Sequence, residues 1–191
     1  MNETPTPRSQ AKADRREALL DAAASLFAER GFTRVSLEEL GSAAGVSGPA
    51  VYRHFDGKQD VLAAILVDAS SNLCRGAQNV IEHAATPRAA LESLVQFHVE
   101  FALGNADVIR VQDRDLDSLT ASDQHEVRAL QRSYVELWVG VLSQLHPDAA
   151  TTELRTRAHA TFGLINSTPH SGRAGATSAV LERMALAALD A

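Results

Sequence analysis

The sequence predicts an all-α protein, and three observations carry that prediction. Apolar residues recur at three- and four-residue intervals through most of the chain. No stretch alternates apolar and polar residues as a half-buried strand does. Aromatic residues are only 5% of the sequence while alanine is abundant, a balance that suits closely packed helices. At 191 residues the chain is long enough for one or two domains with a real core.

Residues 1–10 hold two prolines and no periodic pattern, which predicts a disordered arm. Arg8 within it fits a solvated tail or an arm reaching a DNA minor groove. The first helix is predicted over residues 11–30, with Leu19, Ala23, Leu26 and Phe27 on one face. Gly31 followed by apolar Phe32 is a helix stop.

Residues 36–58, SLEELGSAAGVSGPAVYRHFDGK, organise the rest. Ser36 and Glu39 have the spacing of a capping box. Leu37, Leu40 and Ala44 form the apolar face of a short helix, and Gly45 is placed to end it in a left-handed turn. Ser47 suits the cap of a second short helix, with Pro49 in its first turn, where a missing N–H costs nothing. Val51 and Phe55 share its inner face, which leaves Gly48, Arg53 and His54 free to meet something else. Two short helices joined by a glycine turn describe a helix-turn-helix.

Asp56 and Gln59 are read as caps of a long helix reaching about His83, with Val61, Leu62, Ile65, Leu66, Ala69 and Leu73 inward. Thr86 and Pro87 start the next, which buries Leu91, Leu94, Val95, Phe101 and Ala102 and puts His98 in the middle of that face. Gly104 and Asn105 interrupt it. Residues 108–119 are crowded with charge and read as a short helix and a solvated loop. A helix from about Ser122 carries the stripe Val127, Leu130, Tyr134, Leu137, Trp138, Val141 and Leu145, ended at His146 and Pro147. Another covers about 149–167 with Leu154, Ala158, Phe162 and Ile165 inward, broken at Thr168 and Pro169. After a small-residue loop at 171–176, the last helix is read as burying Val180, Leu181, Met184 and Ala188.

Ser47, Ala50, Val51, Tyr52, His54, Phe55, Asp56, Lys58, Asp60 and Leu62 together resemble the signature of the TetR family of bacterial transcriptional repressors. Ala22, Ala23, Leu26, Phe27, Gly31 and Phe32 resemble that family's first helix and its glycine stop. The match covers about the first third of the chain. Two positions depart from the pattern: Gly41 stands where the family has alanine, and Gln59 where it has an acidic residue. The resemblance implies a three-helix DNA-binding domain over residues 11–57. It also implies an effector-binding and dimerisation domain over 58–191. It further implies a homodimer through the last two helices, a palindromic double-stranded operator and a small-molecule effector. Ala158, Ala160, Gly163, Ala185, Ala187 and Ala188 suit close helix approach, within the chain as well as between two copies.

Charge does not point to nucleic acid. The net charge is −6, residues 1–60 hold eight Lys/Arg against nine Asp/Glu, and residues 61–191 hold ten against fifteen. Locally, Arg8, Lys12, Arg15 and Arg16 cluster near the start, and Arg34, Arg53 and Lys58 flank the motif. The opening MNETPTPRSQ has no signal-peptide core, and no stretch approaches the ~20 apolar residues of a membrane span. The expected location is the bacterial cytoplasm. Cys74 is the single cysteine, so neither an intrachain disulfide nor a cysteine-rich metal site is available. No catalytic or metal motif is present, the expected protein is not an enzyme, and no cofactor or metal is implied.

A helix-turn-helix places the start of its second helix against base edges in the major groove. Those residues are Ser47, Gly48, Pro49 and Ala50, with Arg53 one turn on as a partner for guanine or as a phosphate clamp. By the resemblance, Tyr52, His54, Lys58 and Ser36 contact phosphates; Tyr52 also fits partial core packing. An effector pocket is expected around His98, Phe101, Ala102, Tyr134, Trp138 and Asn166, for a largely hydrophobic ligand. His98, Tyr134 and Trp138 also fit as ordinary core residues, and Asn166 and His170 as caps of a buried helix end. Two other functions stay open: a helical homodimeric interaction protein, and a metal-responsive sensor using His98 with nearby carboxylates.

Overall fold

The computed structural model describes residues 7–46, 51–167 and 174–191. Among them the chain forms eight α-helices, two 3-10 turns and no strand. The helices are α1 (Pro7–Arg30), α2 (Leu37–Ala43), α3 (Lys58–Glu82), α4 (Pro87–Gly104), α5 (Ala106–Asp115), α6 (Ala121–Leu145), α7 (Thr151–Ile165) and α8 (Ala174–Asp190). The 3-10 turns are Phe32–Arg34 and Leu116–Ser118.

Both ends of α2 follow from its sequence. The Ser36 hydroxyl accepts from the Glu39 N–H (3.2 Å), and the Glu39 carboxylate accepts from the Ser36 N–H (2.8 Å). At the other end Gly45 has φ +67°. The N–H of Val46 reaches the Gly41 carbonyl at 2.8 Å and that of Gly45 reaches Ser42 at 3.2 Å, the paired bonds of a Schellman stop. Gly31, at φ +87°, turns the chain out of α1, a conformation any Cβ would strain.

Two cores lie end to end. The first gathers Leu19, Ala23 and Phe27 of α1, Leu40 of α2, Val51, Phe55, and Val61, Leu62, Ile65 and Leu66 of α3. Val111, Leu119 and Val127 from α5, the following turn and α6 close it. The second gathers Leu91, Leu94, Val95 and Val99 of α4 with Trp138, Val139 and Leu142 of α6, Leu154, Ala158 and Ile165 of α7, and Leu181, Ala185 and Leu189 of α8. α3 runs through both, packing on α1 at its start and on α4 and α6 further along. On its α4 side Gly76 is needed for space, because a Cβ there would fall inside the Phe97 ring.

Several expectations are corrected. The first helix begins at Pro7, so residues 7–10 are helical and not part of an arm. Proline suits a first helical turn, and the Gln10 side chain donates to Asp14 one turn on, at 2.9 Å. The α3 cap does not use Gln59: Asp60 accepts from the Asp56 N–H (2.9 Å), while Gln59 donates across to the Ser118 carbonyl (3.0 Å). Residues 108–119 hold the expected short helix, but a 3-10 turn follows in place of a loop and the segment is not solvated throughout. Asp115 is buried and paired with Arg114 at 2.9 Å. On α8, Val180 and Met184 are exposed at 42% and 51%, and the buried stripe is Leu181, Ala185 and Leu189. The loop expected at 171–176 is helical from Ala174. The break at Thr168 and Pro169, and His170, lie outside the described residues.

Candidate nucleic-acid interface and effector pocket

The second motif helix is described from Val51, whose carbonyl accepts the N–H groups of His54 (2.9 Å) and Phe55 (3.1 Å). Val51 and Phe55 are buried against α1 and α3, which fixes the outward direction of what lies between them. Tyr52 is 56% exposed, Arg53 is exposed and His54 is half-buried. Tyr52 is therefore a surface residue, not part of the core. Ser47, Gly48, Pro49 and Ala50, the residues expected against base edges, lie outside the described residues.

Ser36 is exposed at the start of α2, its oxygen occupied by the capping box and its proton free to donate. Glu39 behind it is held below its usual carboxylate range by the hydrogen bonds from Ser36, and Arg30 reaches it at 3.1 Å. Lys58, expected on a phosphate, is engaged within the fold. Its ammonium donates to the carbonyls of Phe32 (2.8 Å) and Thr33 (3.5 Å) and sits 4.4 Å from the centre of the Phe32 ring. It closes the turn after α1 from the side. Arg16, counted among the basic residues near the start, is likewise engaged: it pairs with Asp68 at 2.9 Å and lies over the Phe55 ring.

In the second core His98 is 3% exposed and its two ring nitrogens are both satisfied. Nδ1 lies 2.9 Å from the Tyr134 hydroxyl and Nε2 lies 3.2 Å from Asn166 Oδ1. A carboxamide oxygen only accepts, so Nε2 carries the proton and Tyr134 donates to Nδ1. Burial is the main cause that pulls the His98 pKa from 6.5 down to about 4, opposed by the bond to Asn166. The same burial raises the Tyr134 hydroxyl well above its usual range. Both are neutral at pH 7. Phe162 stacks on His98 with ring centres 4.9 Å apart, and Trp138 stands edge-on to both.

His98, Tyr134 and Asn166 line a pocket of about 230 Å³, together with Ser70, Leu73, Gln112, Gln131, Val135, His159 and Phe162. The other expected lining residues fall elsewhere. Trp138 packs behind the aromatic wall, and Ala102 is fully buried in the core. Phe101 opens onto a separate cleft of about 470 Å³ between α1 and α3. Most of the surface lining it is apolar, with Leu73, Val135 and Phe162 its apolar members and the polar groups at a few points. Among the described residues the side-chain amides of Gln112 and Gln131 make no hydrogen bond. Glutamines on amphipathic helices carry no signal in sequence, since most face solvent. His98 does not meet the carboxylates of α5, and among the described residues no group of three or more His, Cys, Asp or Glu side chains is placed to hold a metal ion.

The joint between the two cores is built by α5. Arg114 donates to the carbonyl of Ala28 at 3.2 Å, one of those that the C-terminal end of α1 leaves without an intrahelical partner, and adds a second bond to the Phe27 carbonyl, which already accepts from the Gly31 N–H at 2.8 Å. Asp115 holds that guanidinium in place. Gln112, two residues earlier on α5, faces the pocket.

The helix-turn-helix and the helical half behind it both match known proteins. Residues 19–65 match the bacterial regulatory proteins of the tetR family, and residues 84–170 match the tetracyclin repressor-like C-terminal domain. The transcriptional repressor KstR2 of Rhodococcus jostii is 30% identical over 143 residues, 74% of this chain and 70% of its own length. The chain belongs to the TetR family. It is a DNA-binding transcriptional regulator. A TetR-family regulator from Bordetella parapertussis superposes with a TM-score of 0.80 at 25% identity, covering 91% of both chains. The fold is shared with FadR of Bacillus subtilis, solved with stearoyl-CoA (TM-score 0.72, 16% identity, 91% and 95% covered). It is shared also with AibR, solved with isovaleryl coenzyme A and operator DNA (TM-score 0.73, 18% identity, 92% and 96% covered). Among the described residues no helix of this TetR-family chain is long and apolar enough to cross a membrane.

Proposed function

We propose that the protein is a homodimeric repressor of the bacterial cytoplasm that grips a palindromic operator and releases it when a small molecule fills the pocket beside His98. The observation that carries this reading is the position of α5. One residue of it, Gln112, lines the pocket, and another, Arg114, holds the end of the first DNA-binding helix. A ligand that moves Gln112 moves Arg114, and with it α1 and the turn that Lys58 closes. α3 offers a parallel route, because Ser70 and Leu73 line the pocket and its first residue is Lys58.

Ser47, Gly48, Pro49, Ala50 and Arg53 are the proposed base-facing residues, with Tyr52, His54 and Ser36 on phosphates. Lys58 contributes by fixing the turn at Phe32 and Thr33. Two such motifs must meet successive major grooves, roughly 34–36 Å apart, and only a dimer supplies two. The exposed Val180 and Met184 of α8, with the exposed Ala160 and Gly163 of α7, support pairing through these helices. The two relatives solved with coenzyme A thioesters make an acyl-coenzyme A the first effector class to test.

The test combines two measurements. Sedimentation should show a dimer at micromolar concentration that Met184→Glu converts to monomer. Fluorescence anisotropy on the DNA upstream of the gene should show binding that the monomeric variant loses. A wild-type monomer, or an acyl-coenzyme A that binds equally well with and without operator, defeats the reading. By linkage the ligand and the operator must weaken each other by the same factor, typically ~5–150-fold.

A further inference from the structure

The pocket beside His98 does not end at the core. Gln131, Val135 and His159 also line a groove of about 480 Å³ on the outside of α6 and α7. The remaining walls of that groove are Arg128, Arg132, Glu136 and Arg155. Three guanidinium groups against one carboxylate make a local concentration of positive charge in a chain whose net charge is −6.

The partners of these arginines matter. Arg155 is held by Glu136 at 2.7 Å, and Arg128 stands 3.7 Å from Asp117, itself almost fully exposed. Arg132 has no ion pair among the described residues. Three guanidinium groups against Glu136 and Asp117 leave a surplus of one positive charge, carried among the described residues by Arg132. Guanidinium forks match phosphate oxygens in two parallel hydrogen bonds, and His159 at the junction adds a further polar contact.

We infer that the groove of Arg128, Arg132 and Arg155 seats the phosphates of an amphiphilic effector whose acyl end enters the pocket against Phe162 and His98. This inference rests on the effector reading above and adds the chemical class and orientation of the ligand. The inner pocket is small and carries several polar groups, so it takes a short or compact acyl group. The cationic groove outside it takes the charge, with Gln131, Val135 and His159 where the two halves of the ligand join. Two sources supply such chemistry, a nucleotide thioester carrier and a lipid phosphate. Three separated arginines favour the carrier, which has more than one phosphate.

The experiment uses the full-length dimer and calorimetric titration with four probes. These are isovaleryl coenzyme A, the isovaleryl thioester of N-acetylcysteamine (the same reacting end with no phosphate), coenzyme A alone and n-octyl phosphate. The coenzyme A thioester should bind at least ~10-fold more tightly than its phosphate-free analogue, with affinity falling as salt rises. Arg132→Gln combined with Arg155→Gln should reduce that ratio to about 3-fold or less, and Arg132→Lys should retain most of it. Both positions are exposed or half-exposed, and thermal unfolding verifies that the variants remain folded. Equal affinity of the two thioesters in the wild type, or a ratio untouched by the double variant, overturns the phosphate site and leaves the inner pocket as the effector site. Val135→Trp fills that inner pocket and should abolish binding of both thioesters. Unchanged binding in that variant overturns the effector reading itself, and this inference with it. Octyl phosphate binding as tightly as the coenzyme A thioester supports the phosphate groove and identifies a lipid phosphate as its ligand.

Discussion

His98 on α4 and Tyr134 on α6 meet through a 2.9 Å hydrogen bond at the pocket wall, where both side chains are almost wholly buried. The bond continues through the imidazole to Asn166 at the end of α7, so three helices are tied by one neutral ring. Tyr134→Phe removes the donor and leaves Nδ1 buried without a partner, a loss of about 1–3 kcal/mol in urea unfolding. Replacing both partners, in His98→Phe with Tyr134→Phe, should cost less than the sum of the two single changes.

The same ring makes stability depend on pH. His98 titrates at about 4 in the folded protein and at 6.5 when free. Between those values the unfolded chain binds a proton that the folded chain does not, so stability declines as pH falls from 6.5 towards 4 and is flat above. The His98 contribution to that loss is about 2 kcal/mol at pH 5. Urea midpoints at pH 7 and pH 5, in the wild type and in His98→Gln, isolate it. An equal pH dependence in both proteins means that His98 is not the group responsible.

Arg114 should matter for stability beyond what an exposed ion pair contributes. Arg114→Met leaves the Ala28 carbonyl without its side-chain donor and Asp115 buried without its paired guanidinium, at a cost on the order of 2 kcal/mol. Adding Asp115→Leu should recover part of it, because the stranded carboxylate is then gone. Thermal unfolding of the single and double variants decides. A double variant less stable than Arg114→Met argues against the buried-charge explanation.

Arg53 and Lys58 should separate on DNA. Arg53→Ala should cost about 1–3 kcal/mol on the operator and relax discrimination at one base pair per half-site. Lys58→Met should lower thermal stability first, because its ammonium closes the turn at Phe32 and Thr33, and should weaken cognate and random DNA alike. Binding isotherms on both DNAs over a salt series distinguish the two. If Arg53→Ala weakens both DNAs equally, Arg53 is a phosphate clamp.

What the sequence determined by itself is local. The capping box at Ser36 and Glu39, the glycine stop at Gly45, the starts at Thr86 and Pro87, and the end of α6 at His146 all depend on residues within a few positions of one another. They can be read from spacing alone. The inward direction of Val51 and Phe55 was legible for the same reason, and it placed Tyr52, Arg53 and His54 on the outside. What only the tertiary structure decided is where separate helices meet. Val180 and Met184 fit an apolar stripe as well as Leu181, Ala185 and Leu189 do, and the packing of α8 on α4 and α7 chose between them. Lys58 is a surface cation in sequence and a clamp on two carbonyls in space, because the turn it holds is 25 residues or more away. Asp115 reads as one charge among many until Arg114 and the end of α1 close around it. The pocket is the extreme case, since Ser70, His98, Gln112, Tyr134 and His159 come from five helices. No periodicity along one chain segment records a space enclosed by five, because the physical quantity that defines it is the distance between helices.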